Sequence, residues 1–351
     1  MNVGLVVYGD LEPRSGGYRY DRRLVEGLGA RGDRVEVISL PESSRACSLA
    51  HNLSRRLVRD LDRPFDVLLQ DELCHPSLVG LNRRLDREYP IVSIVHHLRA
   101  SEVSGIERRL SRELERAYLS TVDAVICNSR ATRAAVARLT DAPGIIAWPG
   151  ADRFEGLPTE AEIVERARRD PFEVVFVGNI VPRKGLDALV RGLARVEGDW
   201  HLTVVGGADD PEYASAVRDR VRREGLADRV DFAGWLDDDA LAARLEAAHL
   251  MAVPSTHEGF GIVYLEGMAF GLPALAAASG GASDLVTEGT TGHLVDPGDE
   301  RAIARAIAGL AGDRDRLVGM SLAARRRYER HPTWDETATR VRTFLESRVR
   351  R

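Results

Sequence analysis

The chain is almost without lysine. Of its 49 basic residues 48 are arginine, and the exception is Lys184, in the run Val181-Pro-Arg-Lys-Gly-Leu186. Arginine serves at every other cationic position, so position 184 asks for what only lysine supplies. That is a compact ammonium on a flexible stem, a point charge suited to phosphate and sugar oxygens. Cysteine is scarce as well. Cys47, Cys74 and Cys127 are odd in number and widely spaced, which excludes a disulfide framework or a metal cage and predicts reduced, buried thiols in a cytoplasmic protein. No stretch approaches the ~20 apolar residues of a membrane span. The apolar start, Val3 to Tyr8, lacks a basic flank and is too short for a signal peptide. An excess of positive charge is missing too. Residues 1–150 carry 22 basic against 20 acidic side chains and residues 151–351 carry 27 against 34, which excludes the basic footprint of a nucleic-acid binder.

What is present is length and an apolar core. At 351 residues the chain exceeds the ~250–300 at which a single core stops growing, so two domains are expected. Short apolar runs alternate with helical patterns from end to end. The strand candidates are Val3–Tyr8, Val35–Leu40, Val67–Leu69, Ile91–Val95, Ala124–Cys127 and Ile145–Trp148. A second series follows at Val174–Val177, Leu202–Val205, Val230–Phe232, Leu250–Val253 and Pro273–Ala276. Continuous valine, isoleucine and leucine mark strands covered on both faces, and alternation with helices predicts parallel, doubly wound α/β sheets. Two series predict two Rossmann-like domains, 1–155 and 156–331. The break falls near Pro149-Gly150, the stretch Gly156 to Asp170 reads as a polar connector, and 332–351 reads as a closing amphipathic helix with Trp334, Val341, Phe344 and Leu345 on its apolar side.

In open α/β sheets ligands bind outside the carboxyl ends of the strands, and three segments lie at such ends. Gly16-Gly17 follows the first strand; adjacent glycines let backbone N–H groups approach a phosphate, though taken alone an ordinary flexible turn is the better reading of them. No G-x-G-x-x-G accompanies either first strand, so a nicotinamide fingerprint is missing. Arg183-Lys184 ends the turn after the seventh strand, where two cations can clamp a diphosphate. The third segment runs from Pro254 to Pro273. There Glu258 and Glu266, eight apart, bracket a glycine-rich turn whose Gly259, Phe260 and Gly261 amides sit at the positive end of a helix. Residues 251–300 contain no lysine or arginine, so both glutamates lack a local ion partner and, as unpaired carboxylates, are expected to bind hydroxyls instead.

With these segments the chain resembles the retaining family 4 glycosyltransferases. The resemblance rests on the Glu258–Glu266 spacing, Gly16-Gly17, Val95-His96, Asn128-Ser129, Gly150, Val177-Gly178, Lys184-Gly185, Val205-Gly206, Gly234, Pro254-Ser255, Glu258-Gly-Phe-Gly261, Gly280-Gly281 and Val295-Asp-Pro-Gly298. It implies a GT-B fold, two Rossmann-like domains facing a cleft with the last helix returning to the first. It also implies an acceptor-binding first domain and a donor-binding second one. By the same resemblance Glu266 accepts from the ribose hydroxyls of a nucleotide-sugar, Glu258 meets the donor sugar, and the amides of Phe260, Gly261 and Ile262 hold the diphosphate. Lys184 matches the diphosphate lysine, and His96, in preference to His97, matches the active-site histidine. The family usually has arginine where this chain has Asn179, which leaves open whether Arg183 supplies that cation.

The resemblance implies transfer of a sugar from a nucleoside-diphosphate donor to a glycan, lipid-linked glycan or small-molecule hydroxyl, without a further cofactor. Asp60-Leu-Asp62 and Asp237-Asp-Asp239 match a metal-binding Asp-x-Asp pair only trivially, so no metal is expected. A non-catalytic nucleotide-sugar-binding subunit and a sugar-nucleotide epimerase are the alternatives. Arg108, Arg112 and Arg116 recur along one helix face, diluted by Glu113 and Glu115. That pattern favours a solvated helix over a peripheral site at the inner membrane face.

Overall fold

The β-branched runs become strands, and most are buried on both faces. A computed structural model describes residues 1–11, 16–42 and 45–349, and of Arg45 and Ala46 only the backbone. The chain divides into two compact units, one formed by Met1–Gly150 together with the segment from Pro332 onward, the other by Ala151–His331.

The first unit holds β1 (Asn2–Tyr8), β2 (Arg34–Leu40), β3 (Val67–Asp71), β4 (Ile91–Val95), β5 (Ala124–Cys127) and β6 (Gly144–Ile146), all parallel in the order β2-β1-β3-β4-β5-β6. Its core gathers Val6, Leu68, Ile91, Val95, Tyr118 and Val125. The closing helix, Trp334–Val349, belongs to this unit and lies on the Gly16–Ala30 helix. Tyr20 meets Trp334 edge-on at 5.6 Å between ring centres. The Thr337 hydroxyl donates to the Trp148 carbonyl at 2.8 Å. Val341 and Leu345 are fully buried, so the amphipathic pattern of the tail is spent on returning to the first sheet.

The second unit holds β7 (Phe172–Val177), β8 (Trp200–Val205), β9 (Val230–Gly234), β10 (Leu250–Val253), β11 (Ala274–Ala277) and β12 (Gly292–Val295), again all parallel, in the order β12-β11-β10-β7-β8-β9. Three expectations need correction. The supposed polar connector contains a helix, Glu160–Ala167, started by a reciprocal capping box between Thr159 and Glu162. The edge strand β12 escaped notice because it has four residues, two of them only half-buried. Cys47 is exposed, whereas Cys74 and Cys127 are buried as expected.

Strand order locates the sites. In the first unit the order turns at the β1/β3 junction, in the second at β7/β10, and the crevice outside the carboxyl ends at such a switch point is where α/β sheets take ligands.

Candidate functional site

Lys184 and Glu258 follow β7 and β10, and the structure joins them. The Lys184 ammonium donates to Glu258 Oε1 at 2.6 Å, and the Ser255 hydroxyl donates to the same oxygen at 2.6 Å. The two turns fit so closely that only glycine serves at 185. Its φ is +74°, and a Cβ there would lie 2.2 Å from the Pro254 carbonyl. The Thr256 N–H donates to the Arg183 carbonyl at 2.7 Å, stitching the turns together. Burial works against charge on Glu258, but the Lys184 ammonium outweighs it and holds the carboxyl below the usual range. Arg183 is exposed, and its charge acts on Glu258 in the same direction. Asn179 turns instead to Asp209.

The helix Ile262–Ala269 starts at Gly261 without a side-chain cap. Among the described residues the N–H groups of Phe260, Gly261 and Ile262 have no acceptor. These open amides begin two residues past Glu258, the partner of Lys184, and amides at a helix start carry the positive end of its dipole. Glu266, one turn further along the helix and buried, faces Arg153, which donates to its Oε1 at 2.7 Å. Neither glutamate has a local ion partner, as expected, but the expectation that they are unpaired is wrong. Their partners lie 74 and 113 residues away in sequence, beyond the window in which cations were absent.

In the first unit a second cluster forms at the β1/β3 switch point. His96 follows β4, Asp71 ends β3, and Asp21 sits on the helix after β1. His96 Nε2 and Asp21 Oδ1 are 3.2 Å apart, with all three side chains buried. Tyr20 packs edge-on against the imidazole at 5.2 Å. The Thr132 hydroxyl donates to the His96 carbonyl at 3.2 Å. Gly17 lies against the ring itself, where a Cβ would approach Cδ2 to 3.2 Å; Gly16 is exposed at the helix start. Burial opposes protonation of His96, but the Asp21 carboxylate, with Asp71 and Glu72, outweighs it and pushes the pKa up to about 9. Burial and the Asp21 charge push Asp71 up to about 8. His97 is apart from this cluster and pairs with Glu102 at 3.3 Å. Asp21, Asp71 and His96 each offer one atom within 4.8 Å of the others, the only such metal-ligand set among the described residues. A ring nitrogen that donates its proton to Asp21 cannot bind an ion through the same position.

Residues 14–150 match the family model described as Glycosyltransferase Family 4, and residues 159–327 match that described as Glycosyl transferases group 1. The chain belongs to this glycosyltransferase family. A GDP-mannose-dependent alpha-(1-6)-phosphatidylinositol monomannoside mannosyltransferase of Mycobacterium tuberculosis is 37% identical over 207 residues, 55% of this chain and 53% of the relative. The chain thus spans about half the length of that curated relative. A phosphatidyl-myo-inositol mannosyltransferase of Mycobacterium leprae is 28% identical over 99% of this chain and 97% of its own. Among solved structures, a sucrose-phosphate synthase from Thermosynechococcus elongatus superposes with a TM-score of 0.84 at 24% identity, covering 99% of this chain and 98% of the other. That likeness is one of fold. Asp21, Asp71 and Arg153 were not singled out in the sequence of this family member. Asp21 lies four residues beyond Gly17 and Asp71 ends a strand at the same switch point, so both were within reach of a topological reading.

Proposed function

We propose that the chain is a retaining, metal-independent glycosyltransferase, moving a hexose from a nucleoside-diphosphate sugar to an acceptor hydroxyl. The second unit takes the donor and the first the acceptor. The observation that carries this reading is the convergence at the β7/β10 switch point of Lys184, Glu258, the open amides of Phe260, Gly261 and Ile262, and Glu266.

Breaking the bond between sugar and diphosphate builds negative charge on the β-phosphate. An ammonium has three donors, so Lys184 can keep one on Glu258 and turn the others to phosphate oxygens. Helix-start amides fixed beside it favour the transition state because they need no reorganisation as charge appears. Glu258, held ionised, accepts from donor-sugar hydroxyls, and Glu266 accepts from the ribose. His96, with Nε2 engaged by Asp21, acts on the substrate as a donor and not as a base. No carboxylate is assigned as nucleophile, so attack is on the face the diphosphate leaves, with the departing phosphate taking the acceptor proton.

The name of the Mycobacterium tuberculosis relative makes GDP-mannose the first donor to try, and the names of both mannosyltransferases make an inositol-bearing lipid the first acceptor. A lipid-borne acceptor fits the Gly105–Leu119 helix. Ile106 and Leu110 are 78% and 66% exposed there, flanked by Arg108, Arg109 and Arg112, a mixture suited to a peripheral position at the inner membrane face. No helix among the described residues is long and apolar enough to cross a membrane.

The test is a thermal-shift screen against UDP-, GDP-, ADP- and dTDP-sugars, followed by turnover of whichever binds, with and without chelator. Binding with neither transfer nor hydrolysis would make the chain a nucleotide-sugar-binding subunit. Product of inverted anomeric configuration, or loss of turnover in chelator, would overturn the mechanism.

A further inference from the structure

Glu266 owes its orientation to an arginine at the start of the second unit. Arg153 donates Nη1 to Glu266 Oε1 at 2.7 Å and Nη2 to Asp238 Oδ1 at 2.6 Å. Its guanidinium lies 4.9 Å from the centre of the Phe154 ring. That ring packs edge-on against Phe270 at 5.2 Å, and Phe270 ends the helix that carries Glu266. The two arms differ in environment. The Arg153 and Glu266 side chains are 18% and 7% exposed, whereas that of Asp238 is 60% exposed. The Asp238 arm is wet and weakly held, while the Glu266 arm is desolvated, where a charge pair is felt strongly and a lone carboxylate is costly.

A ribose presents two neighbouring hydroxyls, and one carboxylate receives both only if its plane is fixed. An ionised carboxylate has about four lone-pair positions, and Arg153 uses one of them. The planar fork of a guanidinium sets the orientation of its partner in a way an ammonium cannot.

We propose that Arg153 is a positioning residue for Glu266, holding its carboxylate in the plane from which it accepts both ribose hydroxyls of a nucleoside diphosphate. The inference rests on the reading of Glu266 given above and adds the residue that makes it work. Arg153 itself touches no part of the nucleotide.

The experiment compares the affinity of the full chain for UDP, GDP and ADP with that for their 2′,3′-dideoxy counterparts, by titration calorimetry. It is run on the wild type, Arg153→Gln and Arg153→Lys, with thermal unfolding as a control. The wild type should bind at least one ribonucleotide roughly tenfold or more tightly than its dideoxy form. Arg153→Gln should lose most of that ratio while its dideoxy affinity stays within about twofold of wild type, a pattern that general loosening of the site would not produce. Arg153→Lys should fall between, and it carries the comparison if the glutamine variant does not fold. An undiminished ratio in either folded variant overturns the positioning role. Tighter ribonucleotide binding in Arg153→Gln overturns it too, since the arginine would then be an occupant of the ribose seat. Absence of any ratio in the wild type overturns the reading of Glu266 itself, a result distinct from the other two.

Discussion

The Lys184 ammonium stands 2.6 Å from Glu258 Oε1, and both side chains are nearly buried, 12% and 11% exposed. The pair joins the turns after β7 and β10 and keeps each charge in place while leaving donor capacity on the lysine. Removing one member of a buried pair strands the other, so the lysine has two duties, toward Glu258 and toward the diphosphate.

Lys184→Ala should lower kcat/KM by ~2–4 kcal/mol in barrier terms, the scale for losing a preorganised electrostatic group. Lys184→Arg is the sharper variant. The ammonium donates to a Glu258 oxygen that also accepts from Ser255, and a longer, planar guanidinium presents its donors with a different reach and shape. The arginine variant should fold, by circular dichroism and thermal unfolding, and lose much of its activity. Full activity would mean that charge alone suffices and that the lone lysine is a compositional accident.

Glu266→Ala should weaken nucleotide affinity by ~1.5–3 kcal/mol, the range for charge-assisted hydrogen bonds. Calorimetry on the folded variant checks this, and unchanged affinity would remove Glu266 from the donor site.

Central strands such as β3, β4, β5 and β10 could be read because burial on both faces writes itself as largely apolar runs, whereas the half-buried β6 and β9 were read from apolar content alone. The tail helix could be read because its apolar side lies at helical spacing. Short or weakly buried pieces such as β12 leave no such trace, and the helix Glu160–Ala167 was masked by its charged outer face. Site residues at strand ends were legible as types: a lone lysine, two glutamates around a glycine turn, a histidine after β4. Their partners were not. Arg153 is one of 48 arginines with nothing local to mark it, and its pairing with Glu266, 113 positions along the chain, exists only once the intervening residues have folded. Asp21 resembles any polar residue on a helix until the fold buries it beside His96.

Glu115 predicts a pH dependence of stability. It is buried on the Gly105–Leu119 helix, accepts from the Ala100 N–H at 3.0 Å, and leaves Oε2 without a partner. Burial, aided by the Glu72 charge, pushes its pKa from 4.5 up to about 7. An acid raised on folding binds its proton more tightly in the native state, so its ionisation costs stability as pH rises from 4.5 through 7 and the full cost remains above that window. Glu115→Gln keeps the acceptor for Ala100 and removes the charge. It should gain on the order of 1–2 kcal/mol at pH 8, with the gain vanishing toward pH 4.5. Denaturant unfolding at the two pH values checks this, and an equal effect at both would mean that the charge is not what matters.

His96 yields the prediction that links geometry to catalysis. Its raised pKa, about 9, means that the imidazolium contributes stability fully below pH 6.5 and that this contribution fades as pH rises through 9. If the protonated ring serves transfer, the free-enzyme profile of kcat/KM should be flat at neutral pH and fall through about 9. Asp21→Asn keeps the shape of the partner and removes the largest of the charges that favour protonation, so the alkaline limb should move down by roughly one pH unit or more. The variant should lose kcat more than nucleoside-diphosphate affinity, because Asp21 belongs to the first unit and the nucleotide residues to the second. His96→Ala should lower kcat over the whole range. His97→Ala should do neither, since His97 pairs with Glu102 outside the cluster. An alkaline limb that Asp21→Asn leaves in place would assign it to another group, and a loss of kcat in His97→Ala with none in His96→Ala would exchange the two histidines.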